Sequence, residues 1–226
     1  ELDRIEARLS RYVEASDISR IHALGRGQET VVQLDTFECL RIALEVQRET
    51  GGAFDVAYAS RGDRPVGLRF ELNADAHAVR VLGDGVWLDL GGIGKGFALD
   101  RMAAILADWE IPAALLAAGT STLLALGSPP GEEGWPIAFG PEKEPHRLRL
   151  KDRAFSGSGT AVKGSHIFDP RTGRPVTGRF RAWAGAPTAA LADALSTAFL
   201  VMTEPEIRDY CRRHPEVEAH GHRLSP

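Results

Sequence analysis

The chain has 226 residues, of which 43% are hydrophobic and 26% charged, and its formal net charge is −4. This length and composition allow one large globular domain or two small ones, with a substantial core. The net negative charge, and the lack of a basic block interleaved with aromatic residues, argue against a general nucleic-acid-binding protein. No apolar run reaches the roughly 20 residues that span a bilayer. The two cysteines, Cys39 and Cys211, lack metal-ligand or redox spacing and are predicted to be free.

Amphipathic helices are predicted in the N-terminal part of the chain. Apolar residues recur at helical spacing within residues 1–23. A longer helix is predicted over about residues 35–50, with Asp35 in its start signal and Gly51-Gly52 as its C-terminal cap.

The middle of the chain is predicted to form short strands joined by turns, because apolar and polar residues alternate there. The predicted strands cover about residues 67–72, 78–82, 85–90, 113–117, 122–126, 135–139 and 146–150. A helix over about 97–109 interrupts them, and helices over about 189–202 and 204–213 close the chain. This order predicts an α+β fold in a single domain, residues 1–226, with helices packed on mainly antiparallel strands.

The most informative pair of residues is Asp193 and Thr197, which lie four positions apart in a strongly apolar run. This spacing places the carboxylate and the hydroxyl on one helix face, one turn apart. A buried carboxylate needs compensation of its charge, and a hard cation such as Mg²⁺, which prefers oxygen ligands, would supply it. In the structural alternative, Asp193 caps or bonds a neighbouring backbone and Thr197 bonds back to a carbonyl. Taken alone, the pair favours this alternative.

A glycine-rich turn precedes the central helix, in the segment Asp89-Leu-Gly-Gly-Ile-Gly-Lys-Gly-Phe97. Free N–H groups at a helix N-terminus attract phosphate, and glycines let a ligand approach the backbone closely. Lys95 adds a mobile positive charge. The segment is neither a Walker A loop nor a GxGxxG fingerprint. A phosphate site is therefore one interpretation, and an ordinary turn before a helix is the other.

A third candidate segment begins with Phe155-Ser-Gly-Ser-Gly-Thr160, which is predicted to be a flexible loop suited to anions. It is followed by His166 and Asp169, which frame a short strand ending in the turn Asp-Pro-Arg-Thr-Gly. Ordinary turn chemistry explains Asp169 but not the histidine. A Ser–His–Asp hydrolase is conceivable, although Gly157-Ser-Gly matches a nucleophile elbow only in part.

The order of these segments is more informative than any one of them. Gly51-Gly-Ala-Phe-Asp55 alone reads as a helix C-cap with Phe54 in the core. It is followed by the glycine-rich turn, then His-Ile-Phe-Asp-Pro-Arg-Thr-Gly-Arg-Pro-Val, then Ala-Asp-Ala-Leu-Ser-Thr-Ala. Together, and over nearly the whole chain, these segments resemble the ApbE family, the FAD:protein FMN transferases. The resemblance implies an ApbE-like, T-fold-related α+β domain.

The resemblance also implies a reaction. Members of the family bind FAD and Mg²⁺, cleave the pyrophosphate, and attach FMN through a phosphoester to a threonine or serine of an acceptor flavoprotein. Some members instead hydrolyse FAD to FMN and AMP. FAD is thus the implied substrate, Mg²⁺ the implied cofactor and a flavoprotein subunit the implied partner.

The family's functional residues fall on named positions of this chain. The implied metal ligands are the side chains of Asp193 and Thr197 and the backbone carbonyl of Gly92. The implied catalytic residues are Asp193 and His166, the latter near the reacting phosphate. Contacts to the flavin nucleotide and pyrophosphate are implied for Ala53, Phe54, Asp55, Asp89 and Lys95. With the metal as its counter-charge, Asp193 is expected to need no cation from the protein.

Three positions depart from the family pattern. Ala57 stands where the family usually has threonine, His22 stands in place of asparagine, and Thr120 ends a turn that normally reads Gly-Gly-Asp. The last change removes an acid from near the expected site but leaves the expected metal ligands. A degenerate homologue that only binds FAD, and a pyrophosphatase that releases FMN and AMP, are therefore the alternatives. The resemblance implies a periplasmic or membrane-anchored protein, attached only through a leader or lipid anchor outside these residues.

Overall fold

The computed structural model describes residues 1–60, 68–141, 143–159, 168–176 and 181–222. Within these ranges the helices are α1 (Leu2–Leu9), α2 (Asp17–His22), α3 (Leu34–Glu49), α4 (Gly94–Asp108), α5 (Ala189–Val201) and α6 (Glu204–Arg213). None of these helices has the length and apolarity that crossing a membrane requires. His166, the implied catalytic histidine, lies outside the described residues.

The strands of the described residues pair antiparallel, as is typical of an α+β protein. They are β1 (Glu29–Val31), β2 (Phe70–Asn73), β3 (Ala78–Val81), β4 (Ala114–Ala118), β5 (Thr122–Leu126), β6 (Trp135–Phe139), β7 (His146–Leu150), β8 (Arg153–Gly159), β9 (Phe168–Asp169), β10 (Arg174–Pro175), β11 (Arg181–Ala186) and β12 (Glu218–His222). The main sheet has the order β12-β11-β8-β5-β4, with every neighbouring pair antiparallel. A smaller sheet, β1-β3-β2, and two hairpins, β6-β7 and β9-β10, are separate. The predicted α+β class is confirmed.

Helix α5 lies at the centre of the molecule, packed against β8 and β11 on one side and against α4 on the other. Ten of its 13 residues are buried, and many of them are alanines. Small side chains let the neighbouring backbones approach closely. Because most of the helix is buried, a polar side chain on it lies inside the protein rather than in water. Asp193 and Ser196 are both among the buried residues.

Strand β8 corrects the prediction of a flexible loop at residues 155–160. Its neighbours in the sheet are β5 and β11, so it is a central strand. Ser156 and Ser158 face α5, where they bond Asp193, Ser196 and Thr197. On the other face, a Cβ at Gly157 would lie 2.6 Å from the indole of Trp183. Glycine and serine are depleted in strands generally, but here close packing on both faces requires small residues.

The predicted strand at residues 85–90 is also wrong, since the structure leaves this stretch outside every sheet. Its backbone N–H groups bond to loops and side chains instead. The N–H of Trp87 donates to Ser60 Oγ at 2.8 Å, that of Leu88 to His22 Nε2 at 2.8 Å, and that of Asp89 to the Val56 carbonyl at 2.7 Å. These bonds satisfy the backbone without a neighbouring strand. Conversely, β1, β10, β11 and β12 were not predicted.

The start of α3 differs from the prediction as well. The cap residue is Gln33, whose side chain makes no capping bond. Asp17 from α2 replaces it, because its Oδ2 accepts the Gln33 N–H at 2.8 Å and the Thr36 hydroxyl at 2.6 Å. Asp35 instead forms ion pairs with three arginines, which are Arg4, Arg8 and Arg101. Helix α3 is thus capped by Asp17, which is distant in the sequence, and not by residues at its own start as predicted.

Candidate active site

The site is built around the buried carboxylate of Asp193, which is 1% exposed. Its Oδ1 accepts hydrogen bonds from the hydroxyls of Thr122 at 3.2 Å and Ser156 at 3.3 Å. Its Oδ2 accepts the N–H of Gly96, in the first turn of α4, at 3.1 Å. Three elements, β5, β8 and α4, therefore hold the carboxylate in one orientation.

Lys95 completes the surroundings of Asp193. Its Nζ lies 3.0 Å from Oδ1 and 3.1 Å from Oδ2 of the carboxylate, and it also contacts the Gly91 carbonyl at 3.2 Å. The side chain of Lys95 remains 40% exposed, whereas that of Asp193 is 2% exposed. Without a bound metal, Lys95 therefore supplies the counter-charge, and the expectation that a metal makes a protein counter-ion unnecessary stays a prediction.

Two of the implied metal ligands, Gly92 and Thr197, lie side by side just before α4. A Cβ at Gly92 would lie 3.2 Å from Thr197 Oγ1, and also 3.2 Å from the ring of Phe54. Thr197 lies one turn beyond Asp193 on α5; its hydroxyl is 3.2 Å from Ser158 Oγ and 3.4 Å from the Asp193 carbonyl. The last contact is the bond predicted by the structural alternative, so Thr197 has a local partner as well as a place beside the glycine turn.

Asp89 stabilises the first residues of the glycine-rich turn. Its Oδ1 accepts the N–H of Gly91 at 2.9 Å, and its Oδ2 pairs with Arg11 Nη1 at 2.5 Å. A bare carboxylate would repel a phosphate, but the ion pair with Arg11 neutralises it. The structure therefore gives Asp89 a role in orienting the turn, while its contact with a pyrophosphate stays a prediction.

The segment Ala53-Phe54-Asp55 leads into the site from the end of α3. Ala53 and Phe54 are buried in the main core, as the structural interpretation of this segment predicted. Asp55 Oδ1 accepts the N–H of Ala57 at 2.8 Å, and burial raises the pKa of the Asp55 carboxyl above its ordinary value. The contact of these three residues with a flavin nucleotide stays a prediction.

Exposed aromatic rings surround the Arg11–Asp89 pair. Tyr12, Tyr58 and Trp87 are 82%, 48% and 42% exposed. Arg11 donates to the Tyr12 hydroxyl at 2.6 Å and lies over its ring, 4.9 Å from the centroid. Trp87 stacks on His22 with ring centroids 4.1 Å apart. Large aromatic rings left in contact with water are typical of a surface that receives a flat ligand.

The turn after the implied catalytic histidine is fixed to α6. Arg171 Nε donates to Asp169 Oδ1 at 2.9 Å, and its Nη1 pairs with Glu206 at 2.6 Å. Hydrogen bonds and charge from Arg171 overcome the effect of burial, and they hold the pKa of Asp169 below its ordinary value. Asp169 is therefore bound within the turn, and the Ser–His–Asp interpretation gains no support from it.

The chemistry of the donor set fits Mg²⁺. Within the described ranges, no group of three or more His, Cys, Asp or Glu side chains could hold a metal, so a cage of several carboxylates or imidazoles is not present there. Mg²⁺, however, is ordinarily bound by one or two carboxylates together with substrate phosphates and water. One buried carboxylate, a hydroxyl and a backbone carbonyl, all with hard oxygen atoms, match that pattern.

The family model of the ApbE family matches residues 1–220. The chain belongs to the ApbE family. The resemblance drawn from the order of the four segments is confirmed, and so is the ApbE-like fold.

Two relatives and one solved structure that are similar to this chain are named as flavin transferases. A protein named FAD:protein FMN transferase in Buchnera aphidicola subsp. Schizaphis graminum is 25% identical over 240 residues, covering 89% of this chain and 71% of the relative. One of that name in Treponema pallidum is 27% identical over 270 residues, covering 96% and 74%. The solved flavin transferase ApbE from Vibrio cholerae superposes with a TM-score of 0.86 at 21% identity, covering 99% of this chain and 82% of that one.

Two residues of the candidate site were not singled out from the sequence, namely Thr122 and Ser156, which bond to Asp193. The alternation of Phe155, Ser156, Gly157 and Ser158 was a usable signal for Ser156. In a strand it places both serines on one face. For Thr122 no local signal existed, because its role depends on which strand lies beside α5.

Proposed function

We propose that this protein transfers FMN from FAD to the hydroxyl of a threonine or serine in an acceptor flavoprotein, in a Mg²⁺-dependent reaction. The observation that carries the proposal is that the buried carboxylate of Asp193 contacts the N-terminus of α4 through Lys95 and Gly96, while Thr197, one turn further along α5, lies against Gly92. The names of the two relatives support flavin transfer in general. The metal and the acceptor hydroxyl are the finer parts of the proposal.

The pyrophosphate of FAD is expected to lie over the glycine turn. Free N–H groups and the positive end of the α4 dipole favour an anion there. Lys95 and Arg11 border the same turn and supply the mobile positive charges. Mg²⁺ would neutralise charge on the reacting and leaving phosphates. The ring system of the flavin or adenine would stack on the exposed rings of Tyr12, Tyr58 or Trp87.

The reaction balances without an oxidant or reductant. The acceptor hydroxyl oxygen forms a bond to the FMN phosphorus, the bond from that phosphorus to the bridging oxygen breaks, and AMP leaves with the bridging oxygen. The hydroxyl proton goes to a base, for which His166 is the candidate. The carboxylate of Asp193, fixed by its hydrogen bonds, would orient the metal. The exposed rings of Tyr12, Tyr58 and Trp87 would hold the flavin against rotation.

The test is a chromatographic assay of AMP and FMN release from FAD, combined with mass spectrometry of an added acceptor flavoprotein. We expect an acceptor mass increase equal to FMN, with one AMP released per acceptor, and loss of both with EDTA. Asp193→Asn should reduce the rate by at least about 100-fold, since an amide binds a hard cation poorly. Asp209→Asn, on the exposed face of α6, is the matched control and should keep the rate.

Each other outcome selects an alternative. Mg²⁺-dependent AMP and FMN release without acceptor labelling would replace the transferase by a pyrophosphatase. FAD binding with neither release nor labelling would identify a degenerate binding homologue. Absence of FAD binding would overturn the proposal in all its forms.

A further inference from the structure

We propose that in the metal-free protein Lys95 occupies the acceptor positions on Asp193 that a metal ion would use. Binding of Mg²⁺ would then displace its ammonium group toward the anionic ligand. This inference rests on the proposed function for the identity of the metal. Lys95 would pair first with the Asp193 carboxylate and, once the metal has bound, with a phosphate of the ligand.

The carboxylate of Asp193 has no acceptor position left for a further partner. A carboxylate offers about four acceptor positions. Asp193 Oδ1 already accepts from Lys95, Thr122 and Ser156, and Oδ2 accepts from Lys95 and Gly96. A cation that is to bind either oxygen must therefore displace one of these donors.

Lys95 is the donor that can leave. The N–H of Gly96 belongs to the α4 backbone, and the hydroxyls of Thr122 and Ser156 are 0% exposed in the sheet. Lys95 alone among the four is a long side chain with 40% exposure, so only it has a path to solvent. Displacing the Lys95 side chain therefore disrupts less packing than displacing any of the other three donors.

The ammonium group of Lys95 lies in a site made of oxygen atoms. Lys95 Nζ contacts three oxygens, which are the two of Asp193 and the carbonyl of Gly91, at 3.0 to 3.2 Å. These oxygens are hard donors of the kind that Mg²⁺ uses. The ammonium thus stands in for a metal ion: it satisfies a buried negative charge that would otherwise be costly.

A displaced Lys95 gains a new role. Its Cα lies in the first turn of α4, so the released ammonium stays beside the helix N-terminus where the pyrophosphate is expected. The site then presents two cations to an anionic ligand only after the metal has bound. The buried carboxylate is never without a counter-charge at any stage.

The test compares Lys95→Met with Lys151→Met, a matched substitution of an exposed lysine. Isothermal titration with MgCl₂, without FAD, should give a dissociation constant about tenfold lower for Lys95→Met than for the wild type, because the competing ammonium is gone. Lys151→Met should match the wild type. Equal or weaker Mg²⁺ binding by Lys95→Met, or Mg²⁺ binding by neither protein, would overturn the inference.

A second measurement uses the wild-type protein and does not depend on the variant folding. Acetylation by N-hydroxysuccinimidyl acetate, followed by peptide mass spectrometry, reports the accessibility of each lysine. Saturating Mg²⁺ should increase the labelling rate of Lys95 by about threefold or more, with Lys143 and Lys151 unchanged. No change at Lys95 while calorimetry shows Mg²⁺ bound would refute the displacement.

These results separate the inference from the proposed function. Mg²⁺-dependent FMN transfer with unchanged Lys95 labelling would leave the function and remove the exchange of partners. Tight Mg²⁺ binding by Lys95→Met in a protein that never releases AMP would leave the exchange and remove the transferase.

Discussion

Gly96 of α4 lies directly against the backbone of Ala189 at the start of α5. A Cβ at position 96 would be 2.7 Å from the Ala190 nitrogen and closer still to the Ala189 carbonyl. No side chain separates the two helices at this point. This contact brings the N-terminus of α4 to the carboxylate of Asp193, because the Gly96 N–H donates to it.

We expect Gly96→Ala to destabilise the protein by about 3 kcal/mol or more, since the obstacle is rigid backbone rather than a side chain that can move. Gly94→Ala is the matched control in the same helix. A Cβ there meets only the Leu90 side chain, at an ordinary 3.8 Å, so it should be neutral or slightly stabilising. Urea unfolding of both variants decides the matter. Equal stability of the two variants would disprove the close contact.

Asp100 caps the start of α5 from the neighbouring helix. Its Oδ1 and Oδ2 accept the N–H groups of Ala189 and Ala190 at 2.7 and 2.8 Å. Asp100→Asn keeps one acceptor oxygen but loses the other and the charge at the helix N-terminus. It should cost about 1–2 kcal/mol of the free energy of unfolding. Asp108→Asn, exposed at the end of α4, should cost less than about 0.5 kcal/mol. A similar loss in both variants would count against the cap.

Thr122 orients Asp193 through its hydroxyl. Thr122→Val keeps the shape of the side chain and removes that donor. We expect about 1 kcal/mol lower stability and a rate of AMP release reduced about tenfold, because the carboxylate is less firmly held. The Mg²⁺ concentration that gives half the maximal rate should rise as well. Thr30→Val, in β1 away from the site, is the control. An unchanged Mg²⁺ dependence would limit Thr122 to a packing role.

His22 gives the stability a pH dependence. Burial lowers the pKa of His22 below its ordinary 6.5, against the opposing effect of its hydrogen bonding with the Leu88 backbone. As the pH falls through 6.5, the unfolded chain takes up a proton before the native protein does. Stability from this group is therefore complete above 6.5 and is lost as the pH falls from there toward the lowered native pKa.

Thermal unfolding of the wild type and of His22→Asn, from about pH 8 to about pH 5.5, isolates this contribution. The wild type should lose more stability on acidification than the variant, whatever their difference at the higher pH. Identical pH profiles would show that His22 does not titrate differently in the two states.

Where the local sequence pattern and the tertiary structure favour the same element, the element predicted from the sequence is the one observed. The alternation in β5, β6 and β7 predicted their bounds as the structure has them, and α6 was predicted with the same limits. At Leu88 and at Ser156 the two disagree. The first has a strand-like pattern but bonds to a histidine 66 positions away, and the second has a loop-like composition but lies in the sheet centre. Neither environment is visible within a local window of residues.

The sequence by itself determined the fold class, the family and the spacing that sets Asp193 and Thr197 on one face of α5, because these depend on local periodicity and on the order of segments. Only the tertiary structure decided that Lys95 pairs with Asp193, that Thr122 and Ser156 orient it, and that Asp17 caps α3. Those relationships join residues from 16 to 98 positions apart. A buried charge is satisfied by whatever the fold brings within hydrogen-bonding distance, and that depends on packing rather than on neighbouring sequence.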